Sequence, residues 1–65
     1  MQGPLRRAAQ KVGEEGVETA LAAVAETEDK LTSEAADLLY HLTVLLAAKD
    51  VKLADVINEL RSRHN

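Results

Sequence analysis

Five carboxylates stand at spacings that could do chemistry. Glu14, Glu15 and Glu18 lie in one stretch, and Glu34 and Asp37 follow after a gap. Residues three or four apart share one face of a helix. Glu15 and Glu18 would therefore project together from one helix, and Glu34 and Asp37 from another. If the two helices run antiparallel, these four carboxylates converge on one spot. Like charges at this spacing destabilise a bare helix by roughly 0.2–0.5 kcal/mol per pair. Crowding four of them makes physical sense when a cation offsets the repulsion. An all-oxygen ligand set suits Mg²⁺, with Mn²⁺ as the second candidate. Such ions hold phosphate oxygens and activate a water, so the reaction class is phosphoryl transfer to water. Lys11, one turn before Glu15, reads either as an i,i+4 ion-pair partner or as a phosphate contact on the substrate. His41 shares the face of Glu34 and Asp37. A lone histidine there reads as a hydrogen-bonded structural residue ahead of a ligand. No Glu-x-x-His pair stands at the inner spacing, which argues against a di-iron centre.

The elements that must carry these acids are helical throughout. Pro4 suits a first helical turn, where its missing N–H would be unpaired anyway. It follows a lead of Met1 to Gly3 and opens a helix that runs to Ala25. On a 3.6-residue period, Lys11, Glu14, Glu15 and Glu18 fall on one side of that helix. Val12, Gly16, Val17, Ala20, Leu21, Ala23 and Val24 cover most of the rest, an apolar arc wide enough to need more than one neighbour. Gly13 and Gly16 each cost about 0.8–1.0 kcal/mol relative to Ala inside a helix. They point to close approach of another helix backbone, or to room for a ligand beside Glu14 and Glu15. Thr27 is the expected N-cap of a second helix over Glu28 to Ala48, with Glu28 and Asp29 at its positive end. Its main apolar stripe is Leu31, Ala35, Leu38, Leu39, Leu42, Leu45 and Leu46, with Glu34, Asp37 and His41 beside it at the edge of the core. So short a link implies an antiparallel hairpin. Asp50 is the expected turn residue before a short third helix from Leu53 to Arg63, whose buried face would be Leu53, Val56, Ile57 and Leu60. The fold class is all-α: an antiparallel helical hairpin plus a short third helix.

Composition narrows the function classes. With 65 residues the chain is a single domain over 1–65, and its core supplies about 3–5 kcal/mol alone. It has one Tyr, no Phe and no Trp, so the core is aliphatic and Ala-rich. Oligomerisation into a larger helix bundle is expected to complete it. The absence of cysteine excludes disulfides and thiolate metal sites. A net charge of −3 argues against general nucleic-acid binding. No continuous apolar run reaches a membrane span and no signal-peptide pattern is visible, so the expectation is a soluble cytoplasmic protein.

Longer strings carry a family resemblance. Gln10-Lys11-Val12-Gly13-Glu14-Glu15-Gly16-Val17-Glu18 resembles the first signature of phosphoribosyl-ATP pyrophosphohydrolases. Glu34-Ala35-Ala36-Asp37-Leu38-Leu39-Tyr40-His41-Leu42 resembles the second. Val44 to Ala47 and the closing Leu53 to His64 are also similar. The wider superfamily of all-α nucleotide pyrophosphohydrolases shares only Glu-Glu-x-x-Glu followed by Glu-x-x-Asp; Tyr40-His41 belongs to the histidine-biosynthesis member. The resemblance implies Mg²⁺-dependent hydrolysis of phosphoribosyl-ATP to phosphoribosyl-AMP and pyrophosphate, the second step of histidine biosynthesis. It implies that Glu15, Glu18, Glu34 and Asp37 bind the metal and that Lys11 contacts phosphate. Glu14 would be a further ligand, a group behind the ligands, or the residue that orients the attacking water. It also implies homodimers or larger assemblies. Family members ordinarily carry another helix and a Ser-Tyr-Thr-like segment before the first signature, where this chain has about ten residues. The expectation is a truncated chain or one domain of a bifunctional protein. Two other readings share these residues: a general nucleoside-triphosphate pyrophosphohydrolase, and a non-catalytic helical oligomerisation module.

Overall fold

Helix-favouring composition, a proline start, one N-cap and one left-handed turn divide the chain into three helices. The computed structural model describes residues 3–64: α1 (Gly3–Ala25), α2 (Glu28–Ala48) and α3 (Leu53–His64), with no strand among the described residues. Most of the expected lead, Met1 and Gln2, lies outside the described residues, while Gly3 already belongs to α1.

The caps explain the boundaries. Thr27 takes an extended conformation, and its Oγ1 accepts from the Lys30 N–H at 3.2 Å. Its carbonyl accepts the first helical bond, from the Leu31 N–H at 3.0 Å. Glu28 and Asp29 fill the first turn, where negative charge is favoured. Thr27→Ala removes the side-chain acceptor and should lower stability by about 1 kcal/mol. Urea unfolding of the two proteins at equal concentration checks this. At the far end of α2, Asp50 adopts φ 60°. Its N–H donates to the Ala47 carbonyl at 3.0 Å, and the Val51 N–H donates to the Leu46 carbonyl at 2.8 Å. This pair of bonds is a Schellman motif, with Asp50 in the left-handed position that asparagine, aspartate and glycine tolerate best.

The two-residue link folds α1 and α2 into the expected antiparallel hairpin. The α1 seam is Leu5, Ala8, Val12, Glu15, Thr19 and Ala22, all buried or half-buried. Its steps of three and four give the narrow stripe of a coiled-coil-like contact. Opposite it, Leu31, Ala35, Leu38, Leu42 and Leu45 are half-buried on α2. Ala8 and Ala22 are buried, as small residues at the contact between two helices should be.

Three expectations require correction. First, the apolar arc of α1 does not find several neighbours within the chain. Val17 is 61% exposed, Leu21 56% and Val24 83%, because the seam passes through Val12, Glu15 and Thr19 on another side. Leu39 of α2 is likewise exposed. Second, α3 packs only weakly on the hairpin. Leu53, Ile57 and Leu60 are exposed, and of its expected face only Val56 is half-buried. Third, among the described residues a Cβ on Gly13 or Gly16 would meet nothing within 4 Å, so no second helix approaches either glycine there. The open space is compatible with the other reading, room for a ligand. A single-layer hairpin covers one stripe of each helix and leaves the rest open. The radius of gyration, 13.4 Å, exceeds the roughly 11 Å of a compact domain this long. The accessible surface, 5229 Å², exceeds the roughly 4,000 Å² expected of a folded protein of this mass. Among the described residues no helix is long and apolar enough to cross a membrane.

Candidate active site

The hairpin brings the two acidic stretches onto facing helices. Glu15 lies in the seam and is only 8% exposed. Its Oε1 is 2.5 Å from Nδ1 of His41 on α2. The Asp37 carbonyl also lies 3.1 Å from that nitrogen. A carboxylate and a carbonyl both accept, so the hydrogen-bond network assigns the proton to Nδ1, which donates to the two. This bond ties the helices together across the seam. His41 is thus hydrogen-bonded, as a lone histidine at a core edge should be, and its partner is the acid at the centre of the first signature.

The remaining acids are distributed around that bond. One turn onward in α1 and one turn back in α2, antiparallel geometry brings Glu18 level with Asp37 and Leu38. The Glu34 side chain is 13% exposed, and its Oε2 accepts from Lys30 Nζ at 3.1 Å. That hydrogen bond and Glu34's charge hold the Lys30 ammonium above the ordinary lysine range against a smaller desolvation effect, with Glu26 and then Glu18 adding less still. A raised lysine pKa means that any stabilisation from this contact is fully present below the unfolded lysine value. It is lost as the pH rises through the higher folded one. The main cause of the shift is Glu34, four residues along the same helix, and Glu18 contributes least. Lys30 is the residue that sequence reasoning missed. The signal was its i,i+4 spacing to Glu34.

Glu14 points to the solvent side. Its Oε2 accepts from Gln10 Nε2 at 2.9 Å, and its Oε1 lies 3.9 Å from Lys11 Nζ. The expected Lys11–Glu15 pair is replaced by this looser contact one position earlier, since Glu15 is turned into the seam. A cleft of about 390 Å³ opens beside His41, toward the start of α1. Lys11 lines it.

Among the described residues no three acidic or histidine side chains converge closely enough, as they stand, to hold a metal ion. Glu15 is engaged by His41 and Glu34 by Lys30. The donor chemistry nevertheless fits a hard divalent ion. Every candidate is a carboxylate, and two of the four are largely out of solvent.

Comparison with known proteins places this arrangement. The sequence profile described as "Phosphoribosyl-ATP pyrophosphohydrolase" matches residues 2–64. The chain is 66% identical over 59 residues to the phosphoribosyl-ATP pyrophosphatase of Pyrobaculum calidifontis, covering 91% of this chain and 63% of that protein. It is 62% identical over 60 residues to the histidine biosynthesis bifunctional protein HisIE of Xylella fastidiosa (strain Temecula1 / ATCC 700964), covering 92% of this chain and 29% of that protein. The HisIE protein of Campylobacter jejuni subsp. jejuni serotype O:2 is 59% identical over 59 residues, 91% of this chain and 28% of that one. The chain thus spans under a third of the bifunctional relatives and somewhat under two thirds of the shorter one. With the acidic signatures on facing helices and the match running through nearly every residue, the chain belongs to the phosphoribosyl-ATP pyrophosphohydrolase family.

Proposed function

We propose that this chain is the catalytic helical unit of an enzyme that hydrolyses phosphoribosyl-ATP to phosphoribosyl-AMP and pyrophosphate in histidine biosynthesis, in the cytoplasm. The observation that supports the reading is the placement of the two acidic stretches on facing helices, with Glu15 buried in the seam and bonded to His41 of α2. Water would add across the anhydride bond between the α- and β-phosphates. Its oxygen bonds to one phosphorus, the bridging P–O bond at that phosphorus breaks, the released proton passes to a carboxylate or to solvent, and phosphoribosyl-AMP and pyrophosphate separate. Glu15, Glu18, Glu34 and Asp37 would hold Mg²⁺, with Mn²⁺ as a substitute. When bound, such an ion neutralises phosphate charge and makes a water more acidic. His41 holds Glu15 by Oε1, and Oε2 would be the oxygen offered to the ion. Lys30 holds Glu34 by Oε2, and Oε1 would be the oxygen offered to the ion. Glu14 orients the attacking water, a role its solvent exposure supports. Lys11 contacts phosphate.

We assign the exposed apolar face of α1 to a second copy of the chain. The surface in excess of a compact monomer, about 1,200 Å², exceeds the roughly 800 Å² that each partner contributes to a standard interface.

Turnover of phosphoribosyl-ATP, read as pyrophosphate released with and without Mg²⁺, tests the activity. Mg²⁺-dependent release from phosphoribosyl-ATP, well above that from dUTP or dCTP, is the expected result. Equal or greater turnover of the common nucleotides would assign the site to general nucleotide hydrolysis. No turnover of any of them by the assembled chain would leave a helical oligomerisation module.

A further inference from the structure

The cleft beside His41 contains none of the four proposed metal ligands, although Lys11 lines it, and its chemistry differs from the rest of the molecule. The chain carries 11 acidic and 8 basic side chains, yet no carboxylate lines the cleft. Arg7 and Lys11, one turn apart on α1, form one wall. Tyr40, His41 and Val44 of α2 form the other, and Ala8 contributes to the α1 side. Among the described residues no acid lies within ion-pair distance of Arg7, and Lys11 has only its loose 3.9 Å contact with Glu14. The Tyr40 ring is 64% exposed and meets His41 edge-on, with centroids 5.0 Å apart and planes at 77°. Two cations facing an open aromatic ring make a site for an anion carried on a flat ring, since guanidinium and ammonium groups take phosphate and aromatic faces take a base.

The cleft also lies in a definite direction from the acids. Along α1, Lys11 is seven residues before Glu18 and Arg7 eleven, or about 10 and 16 Å at the helical rise. On the reading of function given above, the triphosphate belongs at the acids. The substrate's other charged end is the phosphate of its phosphoribosyl arm, separated from the triphosphate by the nucleoside. We propose that this cleft receives the phosphoribosyl-adenine end of the substrate, with Arg7 binding the arm's phosphate and Tyr40 stacking on the base. Arg7 is then the residue that distinguishes phosphoribosyl-ATP from ordinary nucleoside triphosphates.

Calorimetric titration of the intact chain with phosphoribosyl-AMP, AMP and, with Mg²⁺, pyrophosphate tests this. The unaltered protein should bind phosphoribosyl-AMP more tightly than AMP. Arg7→Gln should weaken phosphoribosyl-AMP about tenfold, the loss of one charge-assisted contact, and bring it to the level of AMP. Arg7→Lys should recover part of that loss. Tyr40→Leu should weaken both nucleotides, and neither the Gln nor the Leu variant should change pyrophosphate binding. Equal binding of the two nucleotides by the unaltered protein would overturn the proposal, as would no binding of either. So would an Arg7→Gln variant that loses nothing, or one that loses pyrophosphate by the same factor. The two readings fail separately. Arg7-dependent binding without hydrolysis would sink the activity and keep the cleft, whereas hydrolysis with Arg7-independent binding would do the reverse.

Discussion

Glu15→Leu is expected to abolish hydrolysis while leaving the hairpin at least as stable as before. Glu15 occupies a seam position whose neighbours along α1 are Ala8, Val12, Thr19 and Ala22. A leucine of similar length suits that stripe, and it removes a charge from water-poor surroundings. Exchanging a buried ionic contact for apolar packing is often neutral or favourable by about 1–4 kcal/mol. His41 would not be orphaned, because its Nδ1 keeps the Asp37 carbonyl at 3.1 Å. Glu15→Gln separates charge from shape: its amide oxygen can still accept from His41, but it is a poor ligand for a hard cation. Both variants should lose roughly 10²–10³-fold or more in kcat/KM, the scale of removing one group that stabilises transition-state charge. Chemical denaturation and turnover, measured on the same samples, check the pair. A destabilised leucine variant beside a fully active glutamine variant would make Glu15 a structural residue.

Leu21→Glu is expected to break the assembly. Val17, Leu21 and Val24 form a stripe on α1 that nothing among the described residues covers. Placing a carboxylate at the centre of a copy-to-copy contact should weaken association by about 2–4 kcal/mol. Sedimentation should show a species larger than 7.0 kDa for the unaltered chain and a single chain for the variant. The variant should also unfold at lower denaturant, since the hairpin's own core is small. A monomeric unaltered chain would mean that the stripe is covered by another part of a longer protein, not by a second copy.

Much of this architecture was legible from local signals. Pro4, Thr27 and Asp50 each act within one turn of the backbone, so the helix boundaries were readable without tertiary information. The facing of α1 was not. Its apolar residues surround most of the helix, and periodicity cannot say which stripe meets α2. The contact selected the side holding Ala8 and Ala22, where small side chains let the helices approach, and Glu15 came with it. That is also why Lys11 contacts Glu14 and not Glu15. The apolar face of α3 was read as buried, and among the described residues it finds little cover. Of the two readings of the glycines, close helix approach is not met there, whereas room for a ligand is compatible with the open space. Lys30 was legible in principle, since its partner Glu34 stands four residues along the same helix.

Titration of the protein with Mn²⁺, followed by the paramagnetic resonance signal of the free ion, is the most direct measurement. Glu18→Gln on α1 and Asp37→Asn on α2 should each weaken binding, and the double variant should lose less than the sum of the two single losses, because both acids serve one ion. Binding that survives either substitution unchanged, or losses that simply add, would mean that the two helices do not share a cation.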